Sequence, residues 1–296
     1  MRRRTFLIGA GATVAASAVA RAPAVFGGPA FAREVAALEA AARGRMGVAI
    51  LDTATGARFE RRADERFPMC STFKYVLAAA ILAKVDQGGE RLERRVTVTQ
   101  GDIVPNSPFS GTRVGAGASV AELCAATVGL SDNAAANLLL PAVGGPAGLT
   151  RFLRAQGDAV TRLDRLEPML NSAIPGDPRD TTTPDAMLAT LRRLTLGSVL
   201  TPRSRAQLVA WMAAATTGTK RLRAGLPAGW RVADKTGAGE NGTDNVVALL
   251  WPARRAAPVL VASYIKGSPL TLEQTNAVHA RLGRAIAASL HPSSRT

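Results

Sequence analysis

Four short clusters of polar residues stand in one order along this 296-residue chain: Ser71-Thr72-Phe73-Lys74, Ser131-Asp132-Asn133, Glu167-Pro168-Met169-Leu170-Asn171 and Lys235-Thr236-Gly237. Together they supply a nucleophilic hydroxyl, two amines, a second hydroxyl, a carboxylate and an amide. Those are the parts needed to open a cyclic amide on a serine and release it as an acid. Ser71 begins an apolar run with helical spacing (Phe73, Val76, Leu77, Ala80, Ile81), so Ser71 and Lys74 are predicted to share one face a turn apart. There the amine can accept or relay the hydroxyl proton, and the helix N-terminus offers backbone N–H donors to a developing oxyanion. Ser263-Tyr264-Ile265-Lys266 repeats the same spacing, but in an alternating, strand-like run where residues three apart face opposite ways. It is read as a decoy.

Each of the other clusters also has a plain structural reading. Ser131 and Asp132 precede Ala134-Ala135-Ala136 and would cap a helix there, whatever else they do. Lys235-Thr236-Gly237 closes a strand-like run. Its glycine would let a ligand approach the backbone and its ammonium and hydroxyl could take a carboxylate, or it is an ordinary strand end with a solvated lysine. Glu167 and Asn171, four apart, are either members of a polar surface loop or can hold one water between a base and an amide, the device that turns a stable acyl ester over.

The elements that must position these groups follow from composition and pattern. The chain is 47% hydrophobic and only 4% aromatic, enough for a sizeable aliphatic core. Residues 1–32 stand apart: Arg2-Arg3-Arg4-Thr5-Phe6-Leu7 leads into an apolar run over 8–20, with small-residue cleavage candidates at Ala20, Ala22 and Ala32. This reads as a twin-arginine export signal, and the run is too short for the ~20 residues of a membrane anchor. A periplasmic or secreted location and no stable membrane insertion are therefore expected. The net charge of +15 could suggest nucleic acid, yet the basic residues are scattered and no aromatic stacking platform accompanies them. A solvated arginine-rich surface without a nucleic-acid partner is expected. His279 and His291 supply too little for a metal site. Cys70 and Cys124 suit an oxidising compartment but are expected as free thiols, Cys70 either a small buried hydrophobe or a thiol activated at a helix start.

Helical patterns run over 34–43, 71–84, 120–127, 133–140, 148–156, 183–194, 204–214 and 272–290; strands over 46–52, 57–61, 230–234, 246–251 and 258–265. Strand-rich ends thus enclose a helical middle. The expected architecture is an α/β fold: a discontinuous α/β domain (33–66 and 216–296), with an antiparallel sheet flanked by helices, packed on an all-α domain (67–215), with the site in the crevice between them.

The four ordered motifs resemble those of the class A serine β-lactamases, over residues 34–290. The resemblance extends to the Ω loop at 162–180, with Arg165 and Asp180 closing its neck and a cis bond before Pro168. It implies Ser71, Lys74, Ser131, Glu167 and Asn171 as catalytic residues, with either Lys74 or Glu167 as acylation base. Asn133, Lys235, Thr236, Gly237, Ala238 and Arg221 would bind substrate, with the Ala238 and Ser71 N–H groups as oxyanion hole and Asp132 as the structural member of its motif. It implies a monomer that takes a β-lactam and needs no cofactor. Family members bridge either the Cys124 position to that of Ala78 or the Cys70 position to that of Gly239; each cysteine here resembles half of a different bridge. Three positions depart. Asp244 lies where many members carry a carboxylate-binding arginine, leaving Arg221 either to replace it or to be a solvated charge; Asn106 and Leu166 stand where aromatics are common. A penicillin sensor or DD-peptidase-like domain would share three motifs but not the Glu167/Asn171 pair. A basic protein binding anionic cell-surface polymer is the remaining alternative.

Overall fold

The computed structural model of the chain describes residues 28–290. Most of the export-signal reading, and His291, lie outside the described residues. Helix α1 (Pro29–Ala42) opens with a proline in its first turn, where no backbone N–H is needed and φ is already helical. It starts ahead of the expected domain boundary at Arg33, and the cleavage candidate Ala32 falls inside it. Phe31, 7% exposed, meets Phe59 edge-on at 4.9 Å, so the first turn of α1 is part of the packed domain.

Strands β1 (Arg45–Asp52) and β2 (Arg58–Arg61) follow, and after β3 (Phe67–Pro68) the chain turns into the helical region. A short 3-10 turn, Cys70–Thr72, runs into α2 (Phe73–Asp86), whose residues from Phe73 through Ala83 are all buried. A helix wrapped on every side has no polar face, which is why apolar residues such as Tyr75, Ala78, Ala79 and Leu82 fill its sequence outside the helical run as well. Against it pack α3 (Val120–Gly129), α4 (Asn133–Leu139), α5 (Gly145–Ala155) and α7 (Pro202–Ala213), with α6 (Pro184–Leu196) reaching it through Met187 on Tyr75; β4 (Arg95–Val96) pairs with β5 (Ala118–Ser119), and β6 (Thr181–Thr182) with β3. A Ser119/Glu122 capping box starts α3, and Asp132 caps α4.

The chain returns to the sheet through β7 (Arg231–Gly239), β8 (Thr243–Trp251) and β9 (Val259–Lys266) and ends in α8 (Leu272–Leu290). The five long strands are antiparallel in the order β2-β1-β9-β8-β7. Val48 and Ile50 face α1 and α8, while Ala49 and Leu51 face the helical region, so both sides of the sheet are covered. That double burial makes its strands near-continuous apolar runs rather than alternating ones. The expected antiparallel sheet with flanking helices against a helical layer is what the structure contains. One boundary differs: Lys235-Thr236-Gly237 sits inside β7, paired with Val247, Val246 and Asn245, because β8 pairs back to Thr243. Among the described residues no helix is long and apolar enough to cross a membrane.

Candidate active site

The nucleophile turn is shaped by strain and close approach. Cys70 (φ 44°) and Ser131 (φ 59°) both occupy the left-handed region without being glycine, each at a cost of about 1–3 kcal/mol. Gly237 lets β7 run directly against this turn: a Cβ there would lie 2.8 Å from the Met69 carbonyl oxygen and 3.2 Å from the Ser71 and Thr72 nitrogens. The next residue, Ala238, is exposed at the cleft.

Ser71 and Lys74 reach the same carboxylate. The Ser71 hydroxyl donates to Glu167 Oε1 at 3.1 Å, and Lys74 Nζ pairs with that oxygen at 2.9 Å. Lys74 Nζ also donates to the Ser131 carbonyl (2.8 Å) and Asn133 Oδ1 (2.5 Å), which engages all three ammonium donors. The other Glu167 oxygen accepts from Asn171 Nδ2 at 2.5 Å. On the far side Lys235 Nζ donates to Ser131 Oγ at 3.0 Å, so that hydroxyl lies between the two lysines. Thr236 Oγ1 donates to Thr217 Oγ1 at 2.7 Å. Ser71, Lys74, Ser131, Asn133, Glu167, Lys235 and Thr236 are all buried.

Burial sets the electrostatics. It pulls the Lys74 amine below its ordinary pKa, while the Glu167 carboxylate opposes that pull. Lys235 is pushed well down by burial first, then by the cations Lys74 and Arg221. A site holding two desolvated amines side by side favours an anion, which would restore the charged form of both.

Two loops hold this set. Asp132 accepts from the Ala135, Phe109 and Ser110 backbone N–H groups and from the Ser110 hydroxyl, so it fixes the Ser131 loop rather than entering the cleft. Asn106, at the rim, donates to the Ser131 carbonyl at 3.0 Å. In the loop carrying Glu167, Arg165 Nε donates to Asp180 Oδ2 at 2.5 Å, and Asp180 Oδ1 accepts from the Asp164 and Arg165 N–H groups. The Glu167–Pro168 bond is cis.

The family model described as Beta-lactamase enzyme family matches residues 30–290. Beta-lactamase L2 of Stenotrophomonas maltophilia is 50% identical over 253 residues, 86% of this chain and 84% of that protein. Among solved structures, the last common ancestor of Gram-negative bacteria β-lactamase class A is 60% identical with a TM-score of 0.87, covering 88% of this chain and 100% of that one. This chain belongs to the class A β-lactamases. The putative class A β-lactamase PenP from Rhodopseudomonas palustris is similar too, at 53% identity and a TM-score of 0.85, covering 88% and 99% of the two chains.

Within this class A framework one expected residue is placed differently. Arg221 is only 4% exposed and each of its three guanidinium nitrogens has a partner. It pairs with Asp244 Oδ1 at 2.6 Å, donates to Asn276 Oδ1 at 2.8 Å and to the Gly237 carbonyl at 3.2 Å, and also bonds the Asn245 carbonyl. Arg221 therefore braces β7 and β8 behind Thr236 instead of presenting a free guanidinium to a carboxylate. Asp244, opposite Ala238 across the ladder, is the reason. Both cysteines are free and buried, and burial pushes both thiols upward, which rules out an activated Cys70. A Cβ on Gly239 would lie 2.7 Å from Cys70 Sγ, so the half-bridge implied by the resemblance lacks only its second sulfur. Ser263 and Lys266 of the decoy sit in β9, with Ser263 buried against His279.

Sequence reasoning missed Asn137. It clamps the loop carrying Glu167 by accepting from the Glu167 N–H (3.0 Å) and donating to the Glu167 carbonyl (2.8 Å). The signal was present, since Asn137 lies four residues after Asn133 on the same face of α4. Thr217 and Asn276 carried no comparable spacing.

Proposed function

We propose that this chain hydrolyses the lactam amide of penicillins and cephalosporins through an acyl-enzyme on Ser71, and so confers β-lactam resistance. One observation carries the reading: Glu167 touches Ser71 and Lys74 through one oxygen and is held by Asn171 through the other. Such a carboxylate can serve both halves of the reaction. Ser71 Oγ attacks the lactam carbon, and its proton passes to Glu167 directly, or to Lys74 once that amine has given one of its own protons to Glu167. The oxyanion is met by the Ser71 and Ala238 N–H groups. As the C–N bond breaks, Ser131 gives its proton to the leaving nitrogen and is resupplied through the lysines on either side. Glu167, returned to a carboxylate as the Ser71 proton moves through Lys74 to Ser131, then takes a proton from water placed against Asn171, whose buried Oδ1 has no protein donor; the resulting hydroxide attacks the ester carbon, and as the bond to Ser71 Oγ breaks Glu167 returns that proton to the serine, freeing the acid.

Lys235 and Thr236 take the substrate's carboxylate and Asn133 its side-chain amide, with Arg221 stiffening the strand behind them. The arginine cluster and apolar run at the amino terminus support export by the twin-arginine route to the periplasm or medium, where the enzyme acts as a monomer. The test is benzylpenicillin hydrolysis followed by loss of lactam absorbance. Wild type turns the drug over, and Ser71→Ala loses at least about a thousandfold; comparable rates in the two proteins would refute the assignment.

A further inference from the structure

A cavity of about 660 Å³ opens away from the catalytic cleft, and no residue assigned to catalysis or substrate binding lines it. Its walls come from the distal part of the Ω loop, the start of β1, the segment before β3, the β7–β8 turn and the exit of β9. The volume suits a drug-sized molecule. The cavity's apolar lining is built from Pro68, Ala173, Ile174, Pro175, Pro178 and Pro269.

Its charged lining is three cations, Arg45, Arg66 and Lys266, and one acid. Arg45 is matched by Glu65 at 2.5 Å. The Arg66 guanidinium, by contrast, meets only neutral oxygens, the Val160 carbonyl at 3.1 Å and Thr181 Oγ1 at 2.9 Å. Lys266 Nζ donates to the Arg66 carbonyl at 2.5 Å and lies 4.6 Å over the Phe67 ring. Neither cation has a carboxylate within ion-pair distance among the described residues. Asp177, the one acid of the lining, is held by Arg179 at 2.7 Å. Burial lowers the Lys266 pKa, with Glu65 opposing the pull and Arg45 adding to it, and a bound anion would relieve the remainder.

We propose that this cavity is a second ligand site, separate from the cleft, for a small anionic amphiphile whose acid group is met by Lys266 and Arg66 while its apolar body lies against Ile174, Pro175 and Pro269. The site adjoins the loop that carries the deacylation pair. Ser172, between Asn171 and Ala173, is tied down by Arg165 to its hydroxyl (2.9 Å) and by Asn241 to its carbonyl (2.9 Å). An occupant therefore rests against the segment that sets Asn171.

The probe is 8-anilinonaphthalene-1-sulfonate, titrated by fluorescence into the folded enzyme; its binding does not depend on the reaction proposed for the cleft. Two variants act on different parts of the lining: Lys266→Glu reverses the cation, and Ile174→Glu, at a half-exposed position, puts a carboxylate among the apolar residues. Thermal melts confirm that both fold. Two controls report on other hollows: Lys235→Gln for the cleft, and Arg192→Glu for a second cavity of about 450 Å³ lined by Arg58, Arg192 and Arg193. The expected result is saturable one-to-one binding that weakens at least about tenfold in both cavity variants and stays within about twofold in both controls. Absence of saturable binding, or any other pattern across the four variants, would overturn the proposal.

Discussion

Two buried ion pairs stand on either side of β7, and they are built to opposite ends. In the cleft, Lys74 and Glu167 share their atoms with Ser71, Ser131, Asn133 and Asn171, groups that can each exchange a protein partner for a substrate atom. Behind the strand, Arg221 and Asp244 are closed in by Asn276 and two backbone carbonyls, and His279 sits 3.9 Å from Asp244. Burial alone therefore does not mark chemistry. The pair proposed to work is the one whose neighbours can be exchanged, and the pair enclosed by fixed backbone and scaffold atoms braces the fold.

The scaffolding pair should fail by stability. Arg221→Ala strands Asp244 in the interior, and removing one member of a buried pair costs about 3–5 kcal/mol. At this size that lowers the melting temperature by roughly 10 °C. Replacing both members with apolar residues should recover most of the loss in a thermal melt, whereas no such double replacement would rescue Lys74 and Glu167 for turnover. An Arg221→Ala protein that melts like wild type would remove the distinction.

His279 sharpens the same contrast through pH. Burial brings its pKa down to about 4, with the Arg221 cation adding to burial and Asp244 opposing it; the ring otherwise faces the Ser263 hydroxyl and the Asp244 carbonyl. A group whose folded pKa lies below its unfolded value near 6.5 contributes nothing adverse above that value, and the unfolded chain gains the proton first as pH falls. Stability should therefore drop by about 3 kcal/mol between pH 6.5 and 4, read from urea midpoints. His279→Phe should flatten that part of the profile. A smaller effect is expected at the amino end: a chain beginning at Arg33 loses Phe31 and should be about 2 kcal/mol less stable than one beginning at Gly28, by denaturant unfolding.

Most of the site was legible because its groups fall in short runs on single elements. Ser71 and Lys74 are one helical turn apart, and Glu167 and Asn171 span one loop, so spacing alone brought them together. Arg221 was not legible, since its direction depends on Asp244, Asn245 and Asn276, which pairing of β7 with β8 and packing of α8 bring in from far along the chain. The extension of β7 past Gly237 was hidden for a similar reason, because the ladder runs on through Gly239 opposite Thr243. The sheet itself was readable as strands, but that two faces are covered is a property of α1, α8 and the helical layer together. The first turn of α1 was absorbed into the export signal because small residues serve both purposes.

The most direct test of the working pair is an intact-mass time course of Glu167→Ala and wild type mixed with excess benzylpenicillin. If Glu167 drives the ester's hydrolysis, the variant acquires a penicilloyl adduct on Ser71 that persists for at least about a hundred times the wild-type turnover time, while wild type clears it as hydrolysed drug accumulates. An adduct that clears as fast in Glu167→Ala as in wild type would contradict the account.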